Sequence, residues 1–389
     1  MAKLQNVQKI KRCLLVATVW QAIVLIIALI IQITNRQPLS LEYMTNWDGG
    51  WYKAILNGAY SNPTSPATAF YPLLPLIVKI LQIITFNTIP LPIIILFINI
   101  IFLAIAIFFL HEIALIFLKK EKSANLAVLL FLTFPTAFFM GQFYTEVLFC
   151  ALSFAAYFFA LNKQWPKMGV MLAILTATRL PSILIILLCG LEYLNKHQWK
   201  IKEAFNKNLA WFLLAPIGFL FYGLYLLSAR GNFFSMMEAY SLTNDWVYHR
   251  FDPIFIRTIF KEAIIVFTNP FLAKRLNWGN YIVNHLMPFL SLALLAIASV
   301  YAIKKFKSKG HVLGITGLIS IIFYTLNGNI VSVHRYTLPS FVIFISLASF
   351  ISTQLSNKLQ KLAIASWLIL GITTNLILFY LFTNLKFIG

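Results

Sequence analysis

Carboxylates are the scarcest chemistry in this chain. Its 389 residues hold 3 Asp and 8 Glu against 31 Lys+Arg, so an acidic residue at a surface site has few rivals. Cysteine is nearly absent too. Cys13, Cys150 and Cys189 all fall in or beside apolar stretches, which excludes a disulfide framework and a cysteine metal site. No Asp-x-Asp pair occurs, so there is no obvious metal–diphosphate site, and neither a metal nor another cofactor is expected. Charged residues are only 11% of the chain. The basic start (Lys3, Lys9, Lys11, Arg12) precedes an apolar run, Leu14 to Ile33, with no small-x-small cleavage site after it. That reads as a retained first span rather than a signal peptide.

What is present is apolar: 60% hydrophobic and 16% aromatic residues, with 36 Phe and a mean hydropathy of +0.82. No soluble fold hides so much apolar surface, so lipid is the solvent for most of it. Runs of ~20 apolar residues are far longer than the ~10-residue alternating strands of membrane barrels. The expected fold is therefore all-α: one polytopic transmembrane helical bundle covering residues 1–389. About eleven membrane segments are predicted, at 13–33, 91–116, 124–140, 146–162, a short pair 168–178 and 180–194, 209–228, 284–303, 311–326, 337–353 and 362–382. With the N-terminus inside, the lysine groups around 119–122, 163–167, 196–207, 304–309 and 358–361 fall in inner loops, as the positive-inside rule expects. The net charge of +20 thus reflects membrane orientation and not nucleic-acid binding. Residues 71–86 are apolar, but counting them as a span would move every later lysine group outside. They are expected to lie against or partly in the outer leaflet.

Arginine is distributed differently. Only Arg12 falls inside; Arg36, Arg179, Arg230, Arg250, Arg257, Arg275 and Arg335 fall outside, as do all three Asp residues (Asp48, Asp245, Asp252). The guanidinium forks onto phosphate oxygens and keeps its charge when buried, which suits a phospholipid-like substrate. Headgroup snorkelling is the alternative for any single arginine. Two outer loops are long, 34–90 and 229–283, and the site is expected where they meet over the bundle. Thr176-Ala177-Thr178-Arg179-Leu180-Pro181 reads as a turn lining a cavity.

The first loop carries Trp47-Asp48-Gly49-Gly50-Trp51-Tyr52. A hydroxyl that attacks must lose a proton, and Asp48 is a suitable general base; the other reading is a helix cap within an aromatic belt. Trp47, Trp51 and Tyr52 either stack on sugar faces or mark the membrane interface. Tyr144 and Glu146 stand at the outer face, Glu146 to hydrogen-bond a sugar, pair with an arginine or cap the next helix. Arg179, in an apolar hairpin, is a functional candidate by default. His334, Arg335 and Tyr336 occupy the last short outer loop. In the second long loop, Asp245, His249 and Arg250 suit carbohydrate or acceptor recognition, with Asp245 the reserve base.

Five segments occur in order: WDGGWY, AFYPLLPL, FPTAFFMGQFYTEVLF (Phe134–Phe149), TRLPS (Thr178–Ser182) and HRYTLPSF (His334–Phe341). Together they resemble the bacterial PIG-V-like mannosyltransferases, relatives of the second mannosyltransferase of GPI-anchor synthesis, over most of the chain. The resemblance implies a GT-C glycosyltransferase in the bacterial cell membrane with its site facing the extracytoplasmic side. It implies a polyprenyl-phosphate-linked hexose donor, mannose by likeness, transfer with inversion, and an essential acid in the first outer loop, which falls on Asp48. The acceptor would be a lipid, a glycan or a protein, with membrane lipid as the other partner and no nucleic acid. The second loop departs from any strict family pattern. The rival reading is a transporter or flippase of a lipid-linked glycan, which would show a polar path through the bundle and an internal repeat; neither is seen.

Overall fold

The computed structural model describes residues 2–242, 251–272 and 277–388. Among them there is no β-strand. In chain order the α-helices are α1 (Ala2–Thr34), α2 (Asp48–Leu56), α3 (Leu73–Ile84), α4 (Leu91–Leu118), α5 (Glu121–Leu132), α6 (Glu146–Leu161), α7 (Trp165–Leu175), α8 (Ser182–Lys196), α9 (Ile201–Ala204), α10 (Ile217–Arg230), α11 (Ser235–Glu238), α12 (Phe255–Leu272), α13 (Trp278–Tyr281), α14 (Met287–Lys305), α15 (Lys307–Thr325), α16 (Val333–Tyr336), α17 (Phe341–Gln354) and α18 (Asn357–Thr383).

Five helical segments among the described residues are long and apolar enough to cross a membrane: Val7–Thr34, Leu91–Leu118, Lys207–Arg230, Trp278–Lys305 and Asn357–Thr383. Helices are the economical answer in lipid, because each backbone polar group finds its partner within its own segment. Proline sets many of the breaks. Helix α4 starts behind Pro90, α8 behind Pro181 and α10 behind Pro216. Proline also corrects the expected segment 124–140: α5 ends at Leu132, and the chain passes Pro135 into a 3-10 turn, Ala137–Gly141. A proline inside a helix removes a backbone donor and clashes with the preceding turn. For residues 71–86, α3 has 12 residues, about 18 Å of helix against a hydrocarbon core of ~30 Å. It buries Leu74, Pro75 and Val78 and turns Leu76, Ile80, Ile83 and Ile84 outward.

Helix α6 is the centre of the packing. Fourteen of its 16 residues are buried, and it contributes to both large hydrophobic clusters. A helix apolar on all sides belongs in the middle of a bundle. It packs on α4, α7 and α8, while α14 and α15 form a close antiparallel pair. That pair relies on Gly310, Gly314 and Gly317, where a side chain would collide with Ala302 or Ser299 of α14; small residues permit this close approach.

The two ends of the bundle differ chemically. At one end Lys9 pairs with Glu112 at 2.8 Å, Lys196 with Glu192 at 3.1 Å, and Lys309 lies within electrostatic reach of Lys196 and Lys119. The other end collects the start of α2, the start of α6, the turn 176–181, α16 and the end of α18. Both long connections pack there against each other. Thr68 donates to the Ser235 carbonyl at 2.9 Å and Tyr222 to the Thr68 carbonyl at 2.7 Å.

Candidate functional site

Asp48 opens α2, and its position is set by backbone geometry. Trp47 before it has φ 54°, a region costly for a non-glycine residue. Gly49 after it lies so close to the next layer that a Cβ would sit 3.0 Å from the Met44 carbonyl oxygen. The turn is pinned on the chain leading to α6: Phe143 N–H donates to the Met44 carbonyl at 2.9 Å. The buried Tyr144 hydroxyl accepts from the Asp48 N–H at 3.1 Å and donates to the Asn46 carbonyl at 3.2 Å. Asp48 is thus not a side-chain cap of α2; its carboxylate points elsewhere.

It points at Arg335. Nη1 of Arg335 stands 2.8 Å from Oδ2 of Asp48, and its Nε stands 3.2 Å from Oε1 of Glu146. The same Oε1 lies 3.2 Å from Nη1 of Arg179. Two carboxylates and two guanidiniums from four separate connections form one cluster. Glu146 is 1% exposed and Arg335 4%, whereas Asp48 keeps 30% of its side chain open. The rings of Phe139, Tyr144 and Tyr336 lie 5.3, 5.3 and 5.2 Å from the Arg335 guanidinium, and those of Phe149 and Tyr336 lie 5.7 and 5.2 Å from that of Arg179. Such cation–π contacts gain strength where water is excluded. Burial opposes the Arg335 charge, but Asp48 and then Glu146 outweigh it and hold the guanidinium well above its ordinary range. Burial, and next the Asp48 charge, keep the Tyr144 phenol protonated.

The structure therefore brings Asp48, Tyr144, Glu146, Arg179, Arg335 and Tyr336 together. Of the three readings of Glu146, the arginine pair is the one found. Tyr144 supports the Asp48 backbone with its hydroxyl. Tyr52 packs beside the cluster, its ring edge-on to Phe70 at 5.3 Å, with its hydroxyl 3.5 Å from Thr145. Trp51 stacks on Phe70 at 6.1 Å. Trp47 remains partly open, edge-on to Phe387 at 5.5 Å. His334 faces away: its Nε2 meets the Ile388 carbonyl at 2.9 Å, and burial pushes its pKa down to about 4. It ties the segment after α18 to the site without entering it. Asp245, His249 and Arg250 lie outside the described residues.

Three participants were not singled out beforehand. Tyr240 of the second long connection comes within electrostatic reach of Asp48 and Arg179; no motif surrounds it. Phe387 and Ile388 approach from the end of the chain. Arg230, grouped above with the phosphate-seeking arginines, instead clamps the first connection. It donates to the carbonyls of Tyr60, Pro63, Ala59 and Ser65 at 2.8, 3.1, 3.3 and 3.0 Å. Sequence spacing does not reveal that contact. Arg36 is exposed, Arg257 reaches Asp252 at 3.7 Å, and Arg275 lies outside the described residues.

Beside the cluster is an apolar groove of about 720 Å³ between α2, α3, α7 and α10. Leu56, Leu76, Ile174, Phe221 and Tyr225 line it, and Lys79 is its charged residue. Ala177, two residues before Arg179, also lines it, and its carbonyl accepts from the Leu73 N–H at 3.1 Å. The groove and the charge cluster thus share one turn.

Fold and site together define an all-helical protein with several long apolar helices, consistent with a membrane protein, and a charge cluster at the end of the bundle away from Lys9, Lys119, Lys196 and Lys309. Comparison with protein-family models and with curated proteins returns no match.

Proposed function

We propose that this chain is an inverting glycosyltransferase of GT-C type that moves a hexose, mannose by its resemblance to the PIG-V-like enzymes, from a polyprenyl-phosphate carrier to an acceptor hydroxyl on the extracytoplasmic side of a bacterial membrane. The observation that carries the reading is Arg335 Nη1 at 2.8 Å from Asp48 Oδ2, with Glu146 and Arg179 in the same buried cluster. It sets a carboxylate beside two guanidiniums at the end of the bundle away from Lys9, Lys119, Lys196 and Lys309. The eleven membrane segments of the bundle are part of this proposal: the five long helices, with α6, α8, α15 and α17 as shorter spans. Helices α5 and α7, each shorter by itself than the ~30 Å core, are continued through the turns 133–141 and 176–181. The apolar groove beside Ala177 supports a prenylated donor, since a lipid chain suits a groove with one charged lining residue.

In this mechanism the acceptor oxygen attacks the sugar's anomeric carbon as its proton passes to Asp48. The bond from that carbon to the phosphate oxygen breaks, and its electron pair leaves with the polyprenyl phosphate. Arg335 and Arg179 stabilise the charge that develops there. The acceptor, a lipid, a glycan or a protein, binds over the open edge of Asp48, where Trp47 and Tyr240 lie.

The test is transfer of labelled mannose from polyprenyl-phosphate mannose by the purified protein and its Asp48→Asn variant. Wild-type transfer falling at least about a hundredfold in the variant supports a general base. Undiminished transfer removes Asp48 from that role. Movement of the lipid-linked sugar across vesicles without transfer identifies a flippase instead.

A further inference from the structure

We infer that the donor's phosphate and Asp48 compete for the same guanidinium, Arg335, so that donor binding itself releases the carboxylate that takes the acceptor's proton. This deepens the reading above and rests on its lipid-phosphate donor. The observation behind it is the charge balance of the cluster. Asp48 and Glu146 formally cancel Arg179 and Arg335, and Oε1 of Glu146 already faces both guanidiniums at 3.2 Å. Among the described residues of the cluster, an incoming anion meets no surplus positive charge. The least costly way to seat it is exchange, in which Nη1 of Arg335 passes from Oδ2 of Asp48 to a phosphate oxygen. No covalent bond changes in this step.

Burial decides which partner yields. Glu146 is 1% exposed at the start of the central helix, and pulling it from its arginines would leave buried charge without compensation. Arg335 is 4% exposed and is surrounded by the rings of Phe139, Tyr144 and Tyr336. Asp48 is 30% exposed and opens α2, so its side chain has room to turn outward. The carboxylate moves, and the guanidinium stays for the phosphate. While paired, Asp48 has the oxygen nearest Arg335 engaged; once displaced, that oxygen faces the acceptor. The oxygen nearest Arg335 is thereby presented only after the donor has bound, which favours the order donor-then-acceptor.

The exchange makes an unusual demand on Asp48→Asn, and Asp48→Ala serves as a second variant. Removing the competitor should strengthen binding of the sugar-free carrier, polyprenyl phosphate, even as transfer disappears. The measurement is its Kd by calorimetry in detergent micelles, with the thermal midpoint recorded for each protein. The expected result is a Kd lower by about tenfold in both variants, measured at a temperature where each remains folded, equivalent to ~1.4 kcal/mol of released competition. Wild-type binding with an equal or weaker Kd in both variants overturns the exchange while leaving the donor reading in place. Absence of saturable binding in wild type and variants alike overturns the donor reading and the exchange with it.

Discussion

Oε1 of Glu146 lies 3.2 Å from Nη1 of Arg179, joining the first turn of the central helix α6 to the turn between α7 and α8. The carboxylate is 1% exposed and the guanidinium 16%. A buried pair of this kind is weak evidence of net stabilisation, since desolvation offsets the attraction. Breaking it from one side is different, because the remaining charge stays buried without its partner.

Glu146→Gln removes the negative charge that faces both Arg179 and Arg335 while keeping the side chain's shape. The expected cost is about 3–5 kcal/mol of stability, read as a lower unfolding midpoint in detergent. Adding Arg179→Gln should restore part of the loss, because the two changes act on one network and are not additive. A single variant as stable as wild type would show that the cluster is solvated and not buried.

How much of this was legible beforehand differs from residue to residue. Asp48, Glu146, Arg179 and Arg335 stand out in the sequence because ionisable groups beside apolar runs are costly and rare. The polytopic α-fold is legible for a similar reason: hydrophobic runs of that length have one common solvent. The pairing of Asp48 with Arg335 is not legible, since the two are far apart in sequence and no periodicity links them. Tyr144 illustrates a second limit. An aromatic beside a candidate site suggests ligand contact, yet its hydroxyl holds the Asp48 N–H and the Asn46 carbonyl. Arg230 is a third case, for a guanidinium satisfied by four backbone carbonyls has the same sequence signature as one awaiting phosphate. The break at Pro135 was open to reading from the proline alone; the apolar residues around it masked it.

His334 gives the stability a pH dependence whose sign can be worked out. Its folded pKa is lowered from 6.5 to about 4 by burial, partly offset by the Ile388 carbonyl. Between those values the unfolded chain binds a proton that the folded protein excludes. Stability from this group is therefore complete above pH 6.5 and is lost as pH falls toward 4. The full loss is on the order of 3 kcal/mol, from 1.36 kcal/mol per unit. Unfolding midpoints of wild type and His334→Gln, measured from pH 7 to 4, should diverge: the wild type loses stability more steeply. Parallel curves would mean that the imidazole is protonated in the folded state.

The two glycines after Asp48 separate backbone position from backbone flexibility. At Gly50 an added Cβ meets only the Thr45 carbonyl oxygen, at 3.5 Å, an ordinary contact. Alanine there should be neutral or stabilising by roughly 0.5–1 kcal/mol, as for glycine within a helix. At Gly49 the added Cβ sits 3.0 Å from the Met44 carbonyl oxygen and 3.5 Å from that of Phe143, backbone atoms of two residues joined by the Phe143 N–H to Met44 carbonyl hydrogen bond. Relief requires the start of α2 to move outward, carrying Asp48 away from Arg335. Because displacement of a reacting group by about 1 Å can cost about a hundredfold in rate, Gly49→Ala should lower transfer by roughly ten- to a hundredfold, while Gly50→Ala leaves it unchanged. Rates and unfolding midpoints of the two variants, measured side by side, check this. Equal rates for both would mean that the position of Asp48 is not set by the contact between this turn and the chain entering α6.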